Sequence, residues 1–149
     1  MQNKKTSIMT QTKLTTVNCP RISRKAYRAL MSCGEKAEDR KAAAQKLVDY
    51  LCAKFEIPRC KVWVADRMPS LRKGGLKSGI YYENNKVMTI WNNEDYWKPR
   101  SNESFANTVL HEFMHHYDLH YLKLKKSLHT ERFYARLQDL TDKLACCVA

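Results

Sequence analysis

One stretch, "TVLHEFMHHYDLHYLKLKKSLHTERFY" (Thr108 to Tyr134), constrains the fold more than any other. Phe105, Val109, Phe113 and Tyr117 fall four apart, and Leu110, Met114 and Tyr121 widen the same face. Only an α-helix turns that spacing into one continuous apolar stripe, so the pattern predicts a long helix from about Asn102 to Leu122. All five histidines of the 149-residue chain (His111, His115, His116, His120 and His129) lie in this region. A buried helix has little reason to carry two histidines and a glutamate unless they are engaged, because unpaired polar groups are costly inside.

His111-Glu112-Phe113-Met114-His115 matches H-E-x-x-H. Residues four apart on a helix stand one above the other, so both imidazoles can reach one ion. Zinc accepts neutral imidazole nitrogen at about 2.0–2.1 Å in a tetrahedral site. Glu112 stands beside that pair and out of line with it, where it can take a proton from a metal-activated water. A catalytic site of this kind needs a third protein ligand and one open position. The metzincin spacing would put that ligand at Tyr121, and His120 is one residue short of it. The remaining candidates are His129 and Glu131, both beyond the "KLKKS" break that lets the chain double back.

Other polar residues near the motif have two readings each. His116 and His120 form a second pair at the same spacing, but Tyr117 follows His116 where a glutamate would be needed. They are expected to face solvent, or His116 to hydrogen-bond a neighbour. Asp118 either fixes the tautomer of a ligand histidine or pairs on the surface with a lysine such as Lys123. Tyr134 and Arg136 either stabilise an oxyanion or are a packed aromatic and a solvated base.

The rest of the chain reads as helices, then a small sheet, then helices, an α+β order. "PRISRKAYRALMSCG" suits a short helix. Ala44, Leu47, Val48, Leu51, Cys52 and Phe55 define a second, which should stop before Pro58. "KVWVA" reads as a strand and "LRKGGLKSG" as a basic loop. "GIYYENNKVMTIW" reads as a hairpin with a two-residue turn at Asn84-Asn85 and Glu83 opposite Lys86. Trp91 and "VMTIW" are either core or an edge to which an extended peptide adds; Trp97 in the next loop is equally open. A last helix is expected from about Thr130, burying Phe133, Leu137, Leu140 and Leu144. Residues 1–20 are expected to be a disordered basic arm, and residues 21–149 a single domain.

No apolar run approaches the roughly 20 residues of a membrane helix, and the N-terminus lacks the apolar core of a secretory signal. A cytoplasmic, intracellular protein is expected, with no membrane partner. The six cysteines include no Cys-x-x-Cys pair, which argues against a zinc ribbon and for reduced thiols. The net charge of +12 is concentrated in residues 1–46, with eleven Lys/Arg against three acidic residues. That basic N-terminal region suggests DNA or another acidic partner.

"HEFMH" followed by "HTERF" resembles the SprT-like zinc metalloproteases, which include the Spartan proteins that act on DNA–protein crosslinks. The likeness covers about residues 60–140 and rests on His111, Glu112, His115, His129 and Phe133. Thr130 stands where that family usually shows glycine, and the zinc ribbon of many members is missing. The resemblance implies a small zincin-like domain and a peptidase that uses Zn2+. It implies His111, His115 and His129 as metal ligands, with His129 favoured over Glu131, and Glu112 as catalytic base acting on a protein or peptide substrate. Two rivals stand beside it: a nucleic-acid-associated binding module with a structural metal site, and a metallohydrolase acting on a non-peptide bond.

Overall fold

A computed structural model describes residues 14–66, 78–95 and 98–146. Among these, helices α1 (Lys25–Ser32), α2 (Ala37–Phe55), α3 (Asn102–His120) and α4 (Glu131–Ala145) pack with a small sheet, α2 and α3 resting on its strands and α1 and α4 on those helices, an α+β architecture. The strands are β1 (Lys61–Ala65), β2 (Gly79–Tyr82), β3 (Val87–Trp91), β4 (Asn93–Asp95) and β5 (Lys98–Pro99). None of the helices among the described residues is long and apolar enough to cross a membrane.

The helices end where local chemistry ends them. In α2 all six expected apolar residues are buried. Glu56 then turns left-handed at φ 54°, and the N–H groups of Glu56 and Ile57 close on the carbonyls of Ala53 and Cys52, stopping the helix before Pro58. The Ser101 hydroxyl accepts from the Ser104 N–H to start α3, and Thr130 Oγ1 accepts from the Phe133 N–H to start α4. In α4, Phe133, Leu140 and Leu144 are buried as expected, with Leu137 packed beside them.

The three-stranded sheet has the order β1-β3-β2, with β1 parallel and β2 antiparallel to β3. This corrects the edge reading of "VMTIW": Val87–Trp91 is the central strand, its ladder groups taken on both sides, and Trp91 is buried. Among the described residues, β2 is the edge strand that packs against α3. The hairpin also differs from expectation. Its pairing ends at Tyr82–Val87, so the connection is four residues long. The left-handed residue is Lys86, at φ 54°, and not Asn84 or Asn85. Four-residue connections are built around a type I turn, which needs no positive φ at its two central positions. Part of the expected loop after Trp91 pairs as β4 and β5.

Val62, Met88 and Ile90 point from the sheet into a core shared with Leu47, Leu51, Phe105, Val109, Phe113 and Phe133. Buried Arg40 crosses that core. It donates to Asn92 Oδ1 at 2.8 Å, to Asn102 Oδ1 at 2.9 Å and to the Arg100 carbonyl, and so ties α2 to the start of α3. The arm expected over residues 1–20 is docked where it is described. Val17 and Cys19 are buried, the Val17 N–H donates to Asp139 at 2.8 Å, and Lys143 donates to the Val17 carbonyl at 2.6 Å. Two isolated apolar residues without a period gave no signal for that docking. Trp97 and most of the "LRKGGLKSG" loop lie outside the described residues.

Candidate metal centre

His111 and His115 project from one side of α3. The chain then leaves the helix, with Lys123 left-handed at φ 59°, and returns so that His129 faces them just before the Thr130 cap. His111 Nε2 and His115 Nε2 each lie 3.0 Å from His129 Nε2. A tetrahedral zinc with nitrogen ligands at about 2.0–2.1 Å separates them by roughly 3.3 Å, so the three nitrogens already sit near one coordination sphere. Among the described residues these three form the group whose ligand atoms converge, all within 4.8 Å of one another. Glu131 is exposed in the first turn of α4 and is not part of that group.

Phe133 forms a common floor. Its ring centroid lies 5.1 Å from His111, 4.7 Å from His115 and 5.3 Å from His129, and it is fully buried. One aromatic therefore limits the rotamers of all three imidazoles. Tyr134, the next residue, is half-exposed at the rim, 6.2 Å from His111 and 6.1 Å from His129 by ring centroids. It is not a packed aromatic.

A hydrogen-bonded chain stands behind His115. Its Nδ1 lies 2.8 Å from Ser127 Oγ, and the Ser127 hydroxyl donates to Asp118 Oδ2 at 2.7 Å. With the serine hydrogen committed to Asp118, Ser127 Oγ is left to accept the proton on His115 Nδ1. That tautomer leaves the Nε2 lone pair free for a metal. Asp118 is in turn gripped by Arg136 through two bonds of 3.0 and 2.8 Å, both side chains being buried. Asp118 thus acts on His115 through Ser127, and does not pair with Lys123. Arg136 is neither an oxyanion donor nor a solvated base; its remaining arm donates to the Leu14 carbonyl.

Burial depresses the pKa of His111, with the His129 charge adding to it. Burial, then the charges of His111 and His129, lower His115 to about 4. Both effects favour neutral imidazole, the form that binds metal. Glu112 is 7 % exposed, and burial alone raises its carboxyl to about 7. It lines a cleft of about 630 Å³ together with His111, His129 and the first residues of β2. Gly79 permits that wall to close: a Cβ there would lie 2.8 Å from Thr108 Cγ2 and 3.2 Å from Glu112 Cγ. Any larger residue would push the strand off the helix beside Glu112.

His116 and His120 turn the other way. His116 is fully buried; its Nε2 donates to the Pro58 carbonyl at 2.6 Å, and the Tyr81 hydroxyl donates to its Nδ1 at 2.6 Å. The expected bond to a neighbour is present, and a solvent-facing His116 is ruled out. His120 packs against it at 4.5 Å, with a buried Nε2 that has no hydrogen-bond partner among the described residues.

Comparison with family models, curated proteins and solved structures finds no match to this chain. The site therefore stands on its own geometry. Sequence reasoning singled out His111, Glu112, His115 and His129; the structure brings the three histidines together and lines one cleft with His111, Glu112 and His129. Sequence reasoning missed Ser127 and the floor role of Phe133. The four-residue rhythm of "HTERF" against the helix carried a signal for Phe133, whereas nothing in a lysine-rich break marks Ser127.

Proposed function

We propose that this chain is a zinc-dependent metallopeptidase. The convergence of three Nε2 atoms beside a cleft that Glu112 also lines is the observation that carries this reading. The donor set fits zinc: three converging imidazole nitrogens with a buried aromatic floor and, on His115, an Nδ1 held by Ser127 and Asp118. A zinc ion held there by His111, His115 and His129 would supply polarisation of the scissile carbonyl and a water reactive near neutral pH. Glu112, beside those three residues, would serve as proton acceptor and then return the proton to the leaving amine. The free edge of β2, which lines the same cleft, offers backbone groups to an extended peptide. The match of His111, Glu112, His115, His129 and Phe133 to the SprT-like pattern supports the same chemistry. The free thiols among the described residues suit a reducing compartment, and we place the protein in the cytoplasm. The test is cleavage of an unfolded protein by zinc-loaded wild type and by Glu112→Gln. The reading requires cleavage by the first and not by the second. A structural metal site or a non-peptide substrate would leave both proteins equally inert.

A nucleic-acid association is proposed alongside it, on DNA-bound protein substrates. Its support is the charge of +12 together with Trp63 on β1. That ring is 44 % exposed, with the ammonium groups of Lys41 and Lys61 at 4.0 and 4.4 Å from its centroid. An exposed aromatic between two lysines can stack a base and hold phosphates. Titration of single-stranded DNA followed by tryptophan fluorescence tests it, with affinity expected to fall steeply as salt rises.

A further inference from the structure

The cleft beside Glu112 extends along α3 toward its N-terminus, where its lining changes character. Ile80 and Leu137 line it together with the polar residues Ser104, Asn107, Thr108 and Arg100. Arg100 is 5 % exposed, yet no carboxylate pairs with it among the described residues. Its donors are held by neutral oxygens: the Ser78 and Trp91 carbonyls at 3.3 Å, the Ser104 carbonyl at 3.0 Å and hydroxyl at 2.9 Å, and Thr108 Oγ1 at 2.5 Å. Arg40, the guanidinium that donates to the Arg100 carbonyl, also lacks an ion-pair partner within that set. Arg136 shows the alternative for a buried guanidinium in this protein: Asp118 neutralises it through two bonds. A buried guanidinium with no carboxylate in contact is costly; Glu94 acts on Arg100 only from beyond ion-pair distance, and the charge is fixed in place against the wall of a cleft.

We propose that this end of the cleft is a subsite for a carboxylate, so that the favoured peptide presents one there. The proposal rests on the peptidase reading and adds the class of substrate. The Ser104 hydroxyl accepts from two nitrogens of Arg100, which leaves its own hydrogen to donate into the cleft. Asn107 is exposed on the same wall and offers an amide N–H. A carboxylate seated there receives both donors, with the guanidinium charge directly behind them. Glu112 is the one acidic group among the lining residues, and it lies at the reacting end. The carboxylate can come from an Asp or Glu side chain or from a free peptide C-terminus.

The experiment uses one peptide in three forms: neutral with an amidated end, amidated with Glu placed at each position in turn, and neutral with a free C-terminus. Initial rates are measured on zinc-loaded wild type. Affinities are measured by calorimetry on Glu112→Gln, so that binding is read without turnover. A charge-assisted contact predicts about 10- to 100-fold preference for a carboxylate form in both readouts. Preference for Glu at one position identifies the side chain as the source, and preference for the free end identifies the terminus. Asn107→Asp, at an exposed helix position, should abolish the preference by placing a like charge on the wall, whereas a preference unchanged in that variant would overturn the subsite. Equal affinity for all three forms would also overturn it. Absence of cleavage in every form would instead count against the peptidase reading, while the affinities on Glu112→Gln still decide the subsite.

Discussion

Helix α3 carries the same two-histidine spacing twice, and the two pairs meet different fates. His111 and His115 share an aromatic floor and meet a third imidazole, and His111 opens onto a cleft. His116 and His120 start five residues later, about 140° further round the helix. There His116 is buried against Tyr81 and Pro58, with both ring nitrogens engaged. Identical spacing therefore makes a candidate metal site only where three conditions hold. Each imidazole must keep one nitrogen free, a further ligand must arrive from outside the helix, and solvent or substrate must have access. The second pair fails the first condition at His116.

Four changes would sharpen or break that contrast. Glu112→Gln has the largest expected effect, a loss of about 10²–10⁴-fold in turnover. Zinc content should stay unchanged, because Glu112 lies beside the ligands and not among them; loss of zinc in this variant would make Glu112 a ligand. His116→Ala should leave zinc stoichiometry intact yet cost about 2–4 kcal/mol in urea unfolding. It opens a cavity and strands the Tyr81 hydroxyl and the Pro58 carbonyl. If instead it removed the metal, the two pairs would not be separate units. Ser127→Ala should weaken zinc about 10–100-fold in a chelator competition, since His115 Nδ1 loses the partner that fixes its tautomer. An unchanged affinity would mean that Phe133 packing alone orients the ring.

The smallest effect is a pH dependence. Burial lowers His116 to about 4, below the roughly 6.5 of an unfolded histidine. The unfolded chain therefore binds the extra proton first. The stability from neutral His116 is complete above about pH 6.5 and is lost as pH falls toward 4, by up to about 1.4 kcal/mol per pH unit. Urea melts across that window should show the slope flattened in His116→Gln. An equal slope in both proteins would assign it to other groups.

The same contrast separates what was legible in the sequence from what was not. The apolar period of α3 and the H-E-x-x-H spacing within it are local, so the helix and two ligand positions could be read directly. His129 was open against Glu131 because a choice between them needs the path of the intervening loop, which depends on packing. Arg136 looked like a surface base, since a buried arginine carries no periodic signal and its partner Asp118 sits eighteen residues away. The sheet order was hidden for a related reason: β1 pairs with β3 across an intervening strand, and strand composition does not encode that crossover. Arg100 belongs to the same class, marked only by the acceptors that the fold gathers round it.

The central claim is that His111, His115 and His129 together hold one zinc ion. Bound zinc per chain, measured by elemental mass spectrometry on wild type and His129→Ala purified without added metal, tests it most directly. About one zinc per wild-type chain, most of it lost in His129→Ala with the helical circular dichroism retained, is the predicted result. No zinc in the wild type, or full retention in His129→Ala, would contradict it.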